Sequence, residues 1–262
     1  MSEEGRFFTT LGADVPTYIP GGADVNGRVK SKQGNFMELD FDSVPAYSSK
    51  AAAHAAPTGT GGDENIMVMP EGTLEYHMLG TQTLLAPLLV ATGLDVGLDQ
   101  TDNDGVEICG GILASNKLTF TVGTDPAFYA KLRFSIADVS GTDDCAFGFR
   151  KAEAYQANID DYDEMAALNV ISGNVTIETI LNAGATTVTD TTEDWADAAE
   201  HELEVRVSAA GVVTYKFDDG TPATVAAFTF DDAEVVVPFF YFLHASDVAG
   251  AIVLTHFECG PQ

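Results

Sequence analysis

The stretch Phe128–Ile136 alternates without a break. Phe128, Ala130, Leu132, Phe134 and Ile136 fall on one side, Tyr129, Lys131, Arg133 and Ser135 on the other. A two-residue period belongs to a pleated strand with one wet face, and a helix cannot use it. The same period returns at 201–208, with Leu203, Val205 and Val207 inward and Glu202, Glu204 and Arg206 outward. Ala209-Ala210-Gly211 then turns the chain. Val213, Tyr215 and Phe217 line a return strand that ends at Asp218-Asp219-Gly220. Further strands are expected at 145–150, 175–181, 186–190 and 252–259. Turn signals recur at roughly 8–12 residues, the spacing of a sandwich or barrel.

Residues 235–244 read Val-Val-Val-Pro-Phe-Phe-Tyr-Phe-Leu-His, apolar on both faces. Either a thick core or a partner chain would cover the second face. Pro238 removes a ladder donor, so a bulge or sheet edge is expected beside it. Helical signals are sparse: short turns at 50–56, 83–89 and 161–168. No repeat of 20–50 residues is visible.

Charge divides the chain. The formal net charge is -28, from 12 Lys+Arg against 40 Asp+Glu. Such a surface repels nucleic acid and anionic lipid, so neither is an expected partner. Residues 1–60 hold seven acids against five bases (Arg6, Arg28, Lys30, Lys32, Lys50), and the remaining bases face a large acidic excess. The first region is also rich in breakers, including Pro20-Gly21-Gly22 and 57–62, with aromatics in small clusters. That composition predicts an extended docking arm over 1–62 and a β-sandwich over 63–262. In the arm, Arg28, Lys30 and Lys32 would meet acidic groups, while Phe7, Phe8, Phe36 and Phe41 would fill pockets.

The acidic opening, Met1 to Gly5, lacks the order of a signal peptide. The longest apolar run, 84–96, is too short to span a bilayer. Cys109, Cys145 and Cys259 form no CxxC pair, so reduced buried thiols are expected, with neither a zinc site nor a disulfide framework.

Two acidic motifs are candidate sites. Glu200, Glu202 and Glu204 share one strand face, as paired carboxylates do in sandwich glucanases, but Trp195 is the chain's single tryptophan and no stacking platform accompanies them. A solvated strand face is the expectation. Asp99, Asp102 and Asp104, followed by Gly105, space oxygen ligands as part of a calcium loop does, without the closing bidentate Glu. Asp143-Asp144 and 160–164 are further acidic loops. Turn chemistry explains each more simply. No cofactor is expected beyond a structural calcium ion. Scattered histidines and the lack of GxSxG, GxGxxG or GxxxxGK[ST] leave hydrolase, nucleotide and zinc chemistry without support.

Trp195, then His201-x-Leu203-x-Val205-x-Val207, then 211–222 with its Asp219-Gly220 turn, resembles the late strands of concanavalin A-like, laminin-G-like jelly rolls. The Ala/Thr/Asp/Gly style of 120–126, 149–153 and 236–244 resembles structural proteins of tailed bacteriophages. The resemblance implies an all-β, non-enzymatic virion protein assembled in the host cytoplasm. It would decorate or cement a capsid through its arm, bound to the major capsid protein or other virion proteins, and form a homo-oligomer. The alternatives are a carbohydrate-binding adhesin of a tail or capsid fibre, using loops 138–144 and 158–165, and a glycoside hydrolase using Glu200 and Glu204.

Overall fold

The alternating segments pair into two antiparallel sheets whose apolar sides face each other. The computed structural model describes residues 29–30, 37–41, 66–68, 74–80, 88–97, 100–111 and 118–262. In chain order the strands begin with β1 (Val29–Lys30), β2 (Met37–Asp40), β3 (Ile66–Val68), β4 (Glu75–Leu79), β5 (Leu88–Val90) and β6 (Gly93–Asp95). Next come β7 (Gly105–Cys109), β8 (Phe120–Thr121), β9 (Phe128–Ile136), β10 (Thr142–Lys151), β11 (Met165–Ile171) and β12 (Asn174–Ile180). The last are β13 (Thr187–Asp194), β14 (Glu200–Val207), β15 (Val213–Phe217), β16 (Val235–His244) and β17 (Ile252–Pro261). The first sheet runs β1-β2-β17-β9-β14-β15, with β6 and β5 attached to β17. The second runs β13-β12-β11-β10-β16-β7-β4-β3, with β8 against β16.

Between the sheets lies the core. Phe134, Leu203 and Val205 of the first sheet are buried with Tyr76, Val106, Phe147, Leu168 and Phe242 of the second. Phe134 bridges the layers, its ring 4.5 Å from Trp195 and 5.5 Å from Phe240. The expected strands at 128–136, 145–150 and 252–259 lie within β9, β10 and β17. Residues 161–168 are a correction. A 3-10 turn ends at Asp161 and Met165 onward is strand, because Ala166, Leu168 and Val170 pack inward at period two.

Residues 37–41 correct the expected boundary at 62/63. β2 pairs with β17, Leu39 opposite Phe257 and Met37 opposite Cys259. Met37, Leu39 and Phe41 all turn into the core. Phe41, expected to fill a partner's pocket, fills its own sandwich beside Leu132, Phe147 and Phe257, at 1% exposure. Met37-x-Leu39-x-Phe41 carries the strand period, but the surrounding breakers obscure it.

β16 resolves the question of its second face. Val236, Phe240 and Phe242 join the core between the sheets. Phe239, Tyr241 and Leu243 point the other way, into a second apolar cluster with Ile159 and Tyr162. The cover is therefore this chain's own segment 152–163. Pro238 sits where β16 changes neighbour, from β8 at Val236 to β7 at Phe239. Its missing N–H falls at a gap in the ladder, on the side where its carbonyl accepts from Gly110.

Candidate functional site

The register of β14 against β9 puts Glu202 opposite Arg133 and Glu204 opposite Lys131. On the outer face of the first sheet these become an ionic lattice. Lys131 Nζ lies 3.1 Å from Glu202, and Arg133 donates to the same carboxylate at 2.9 Å. Glu204 accepts from Arg206 and lies 3.8 Å from Lys216. The expected solvated face holds only for Glu200, since Glu202 and Glu204 are buried beneath these cations.

A groove opens at the β15 edge of this sheet. Ser208 and Gly211 close the turn after β14, Gly211 at φ +81°, where a side chain would be strained. The Gly211 carbonyl accepts from Phe230, and Val213 donates to Phe228, so residues 228–230 are tied alongside the edge. Residues 221–227 arc away and leave a cavity of about 590 Å³. Arg206, Thr214, Lys216, Thr221, Thr229 and Gln262 supply its polar lining, and Val212 and Val225 its exposed apolar rim. Strand alternation turns the Tyr215 N–H and C=O toward this edge, because Val213 and Phe217 both donate away from β14. Glu204 lies behind both cations, which share its one carboxylate, and the rim offers hydrogen-bond donors.

The second sheet's outer face is sealed over β7, β10 and β16. Arg150, wholly buried, donates through Nε to Glu107 at 2.7 Å, and Tyr162 donates to the other Glu107 oxygen at 2.5 Å. The guanidinium carbon lies 4.4 Å from the Tyr162 ring centroid. Tyr241 donates to the Ala157 carbonyl at 2.8 Å, and His77 stacks on Tyr155 at 5.2 Å. Burial opposes the Arg150 charge, but Glu107 beside it holds its pKa above the ordinary range. Burial, reinforced by Glu107, pushes the Tyr162 phenol well up. Farther along this face, Asn169 donates to Asp144 at 2.7 Å. Burial, reinforced by Asp143 and Asp160, pushes Asp144 up to about 6, and burial raises Glu178 to about 7.

Loops 138–144 and 158–165, expected to frame a glycan site, are held by contacts within the chain. Asp138 and Asp197 accept from the backbone of 139–140, and Tyr162 plugs the second sheet. Asp102 is exposed, while Asp104 is buried in a turn closed by its N–H to Thr101 and its carbonyl from His244. A Cβ at Gly80 would sit 2.1 Å from an Asp104 carboxylate oxygen. Among the described residues, neither belongs to a three-residue metal-ligating cluster. Lys30 lies in β1, opposite Glu38. Phe7, Phe8, Arg28, Lys32, Phe36 and Asp99, with the helical expectations at 50–56 and most of 83–89, lie outside the described residues. Sequence reading missed Glu107, Arg150, Tyr162 and the β15 groove. The one available signal was a charged Arg150 on the strand face shared with Ala146 and Gly148.

No protein-family model matches the chain, and no curated protein is significantly similar to it. Solved structures do share its architecture. The Emp47p carbohydrate recognition domain matches over 92% of this chain and 99% of its own, with TM-score 0.50 and 10% identity. The VIP36 exoplasmic/lumenal domain, in a Ca2+/Man3GlcNAc-bound form, matches over 78% and 91%, with TM-score 0.51 and 10% identity. The metal-free Emp46p carbohydrate recognition domain matches over 71% and 87%, with TM-score 0.50 and 7% identity. The fold is thus the concanavalin A-like, legume-lectin-type β-sandwich. At these identities the likeness is one of fold.

Proposed function

We propose that the protein is a non-catalytic, carbohydrate-binding β-sandwich acting as an adhesin of a tailed-phage tail or capsid fibre. The groove beside β15 carries this reading. Its volume of about 590 Å³ falls in the range of small-ligand sites. Threonine hydroxyls, an amide, two cations and an open strand edge suit the many hydroxyls of a sugar, while Val212 and Val225 suit its C–H faces. Similarity to carbohydrate recognition domains supports the reading at the level of fold.

A glycan array tests it, run with the full chain and with Thr221→Trp. Thr221 is exposed on the groove wall, so the indole would occupy the space without entering the core. Binding to one glycan class, at least tenfold weaker in the variant, is expected. Equal binding by both proteins, or no glycan bound by either, overturns the reading.

A capsid decoration role draws on the low net charge and clustered aromatics of the first sixty residues. With 37–41 built into the sandwich, residues 1–28 remain as its docking segment. Their deletion should leave a folded chain that no longer joins the particle. Full incorporation would end that role.

A further inference from the structure

β4 and β7 place three ligand types on one dry patch. Glu75 and His77 are two residues apart on β4, hence on the same face, and Cys109 lies directly opposite Glu75 on β7. One ligand atom from each falls within 4.8 Å of the others, and all three residues are buried. His77 Nε2, on a side chain 2% exposed, makes no hydrogen bond and lies 3.6 Å from Glu75 Oε2. Tetrahedral zinc with bonds of about 2.0–2.3 Å separates its ligand atoms by roughly 3.3–3.8 Å. The His77–Glu75 spacing already falls in that interval.

Charge points the same way. Glu75 and Glu107 share this face with one buried guanidinium, Arg150, which donates to Glu107. Counting Glu75, Glu107, Arg150 and the Cys109 thiolate alone, a divalent ion would bring their formal charge to zero. We propose that Glu75, His77 and Cys109 form a binding site for a zinc-class divalent cation beneath the 152–163 segment. Sulfur and imidazole donors select a borderline ion over calcium, which prefers oxygen alone. Binding forms a metal–sulfur bond and releases the Cys109 thiol proton to solvent. Tyr155, half-buried and stacked on His77, is the lid through which the ion enters. Three protein ligands leave a fourth position on the lid side. The missing CxxC spacing says nothing against such a site, because strand pairing rather than sequence proximity assembles it.

Cobalt(II) is the probe, supplied to the full chain both folded and during refolding. One equivalent should bind, with the intense visible bands of tetrahedral cobalt and a near-ultraviolet thiolate charge-transfer band, and zinc should displace it. Cys109→Ser should lose the thiolate band while Cys145→Ser, whose sulfur lies in the other cluster, keeps it. His77→Gln should weaken binding at least tenfold and serves if Cys109→Ser fails to fold. A pale octahedral spectrum, no stoichiometric uptake by either route, a thiolate band that survives Cys109→Ser, or unchanged affinity in His77→Gln would overturn the site.

Discussion

On the first sheet, Lys131 and Arg133 lie over the buried carboxylates of Glu202 and Glu204, and Arg133 keeps 47% of its side-chain exposure. On the second sheet, Glu107 and Arg150 make a pair with no exposure at all, roofed by Tyr162 and the 152–163 segment. Both faces pair acid with base from different strands, adjacent β9 and β14 on the first sheet and, on the second, β7 and β10 to either side of β16. The difference lies in water. On the first sheet the cations stay within reach of water and each carboxylate has more than one of them, so losing one exposed cation costs little. The sealed pair has no such reserve, and removing one member strands the other in a dry site. One face is therefore free for ligands at its β15 edge, and the other is committed to holding the fold.

Arg150→Ala should break this contrast most severely. It leaves Glu107 buried without its cation and should cost about 3–5 kcal/mol of unfolding free energy, read by denaturant titration. A cost below about 1 kcal/mol would mean that the second face opens to water. The pH dependence should be smaller. Asp144 and Glu178 hold their protons more tightly folded than unfolded, with pKa values of about 6 and about 7. Their stabilisation is complete below the ordinary carboxylate range and is lost as pH rises through those values. Melting temperature should therefore fall from about pH 5 to about pH 8 at fixed ionic strength. The double variant Asp144→Asn, Glu178→Gln should flatten the fall. The smallest effect is expected on the open face. Arg133→Ala should change stability by about 1 kcal/mol or less, and less still in high salt. A larger loss would show that the lattice is effectively buried.

Much of the fold was legible because period two reports one wet and one dry face, as in 128–136 and 201–207. Periodicity is silent where both faces are dry. β16 left a thick core and a partner chain equally open, since its sequence cannot say that Tyr162 and Ile159, some eighty residues earlier, return to cover it. Periodicity is also obscured where breakers surround a short strand, as at 37–41. Candidate sites fared worse. Glu202 and Glu204 read as surplus acid because the cations opposite them come from β9 and β15, and register is set by tertiary pairing. The groove was invisible for a related reason: it is a space between a strand edge and a loop, with no motif of its own.

Backbone amide NMR during titration with an array-selected glycan tests the central claim most directly. The account predicts shifts confined to Arg206, residues 212–216 and residues 221–229, with 152–163 silent. Shifts over 152–163 or around Asp144 and Glu178, or none anywhere, would contradict it.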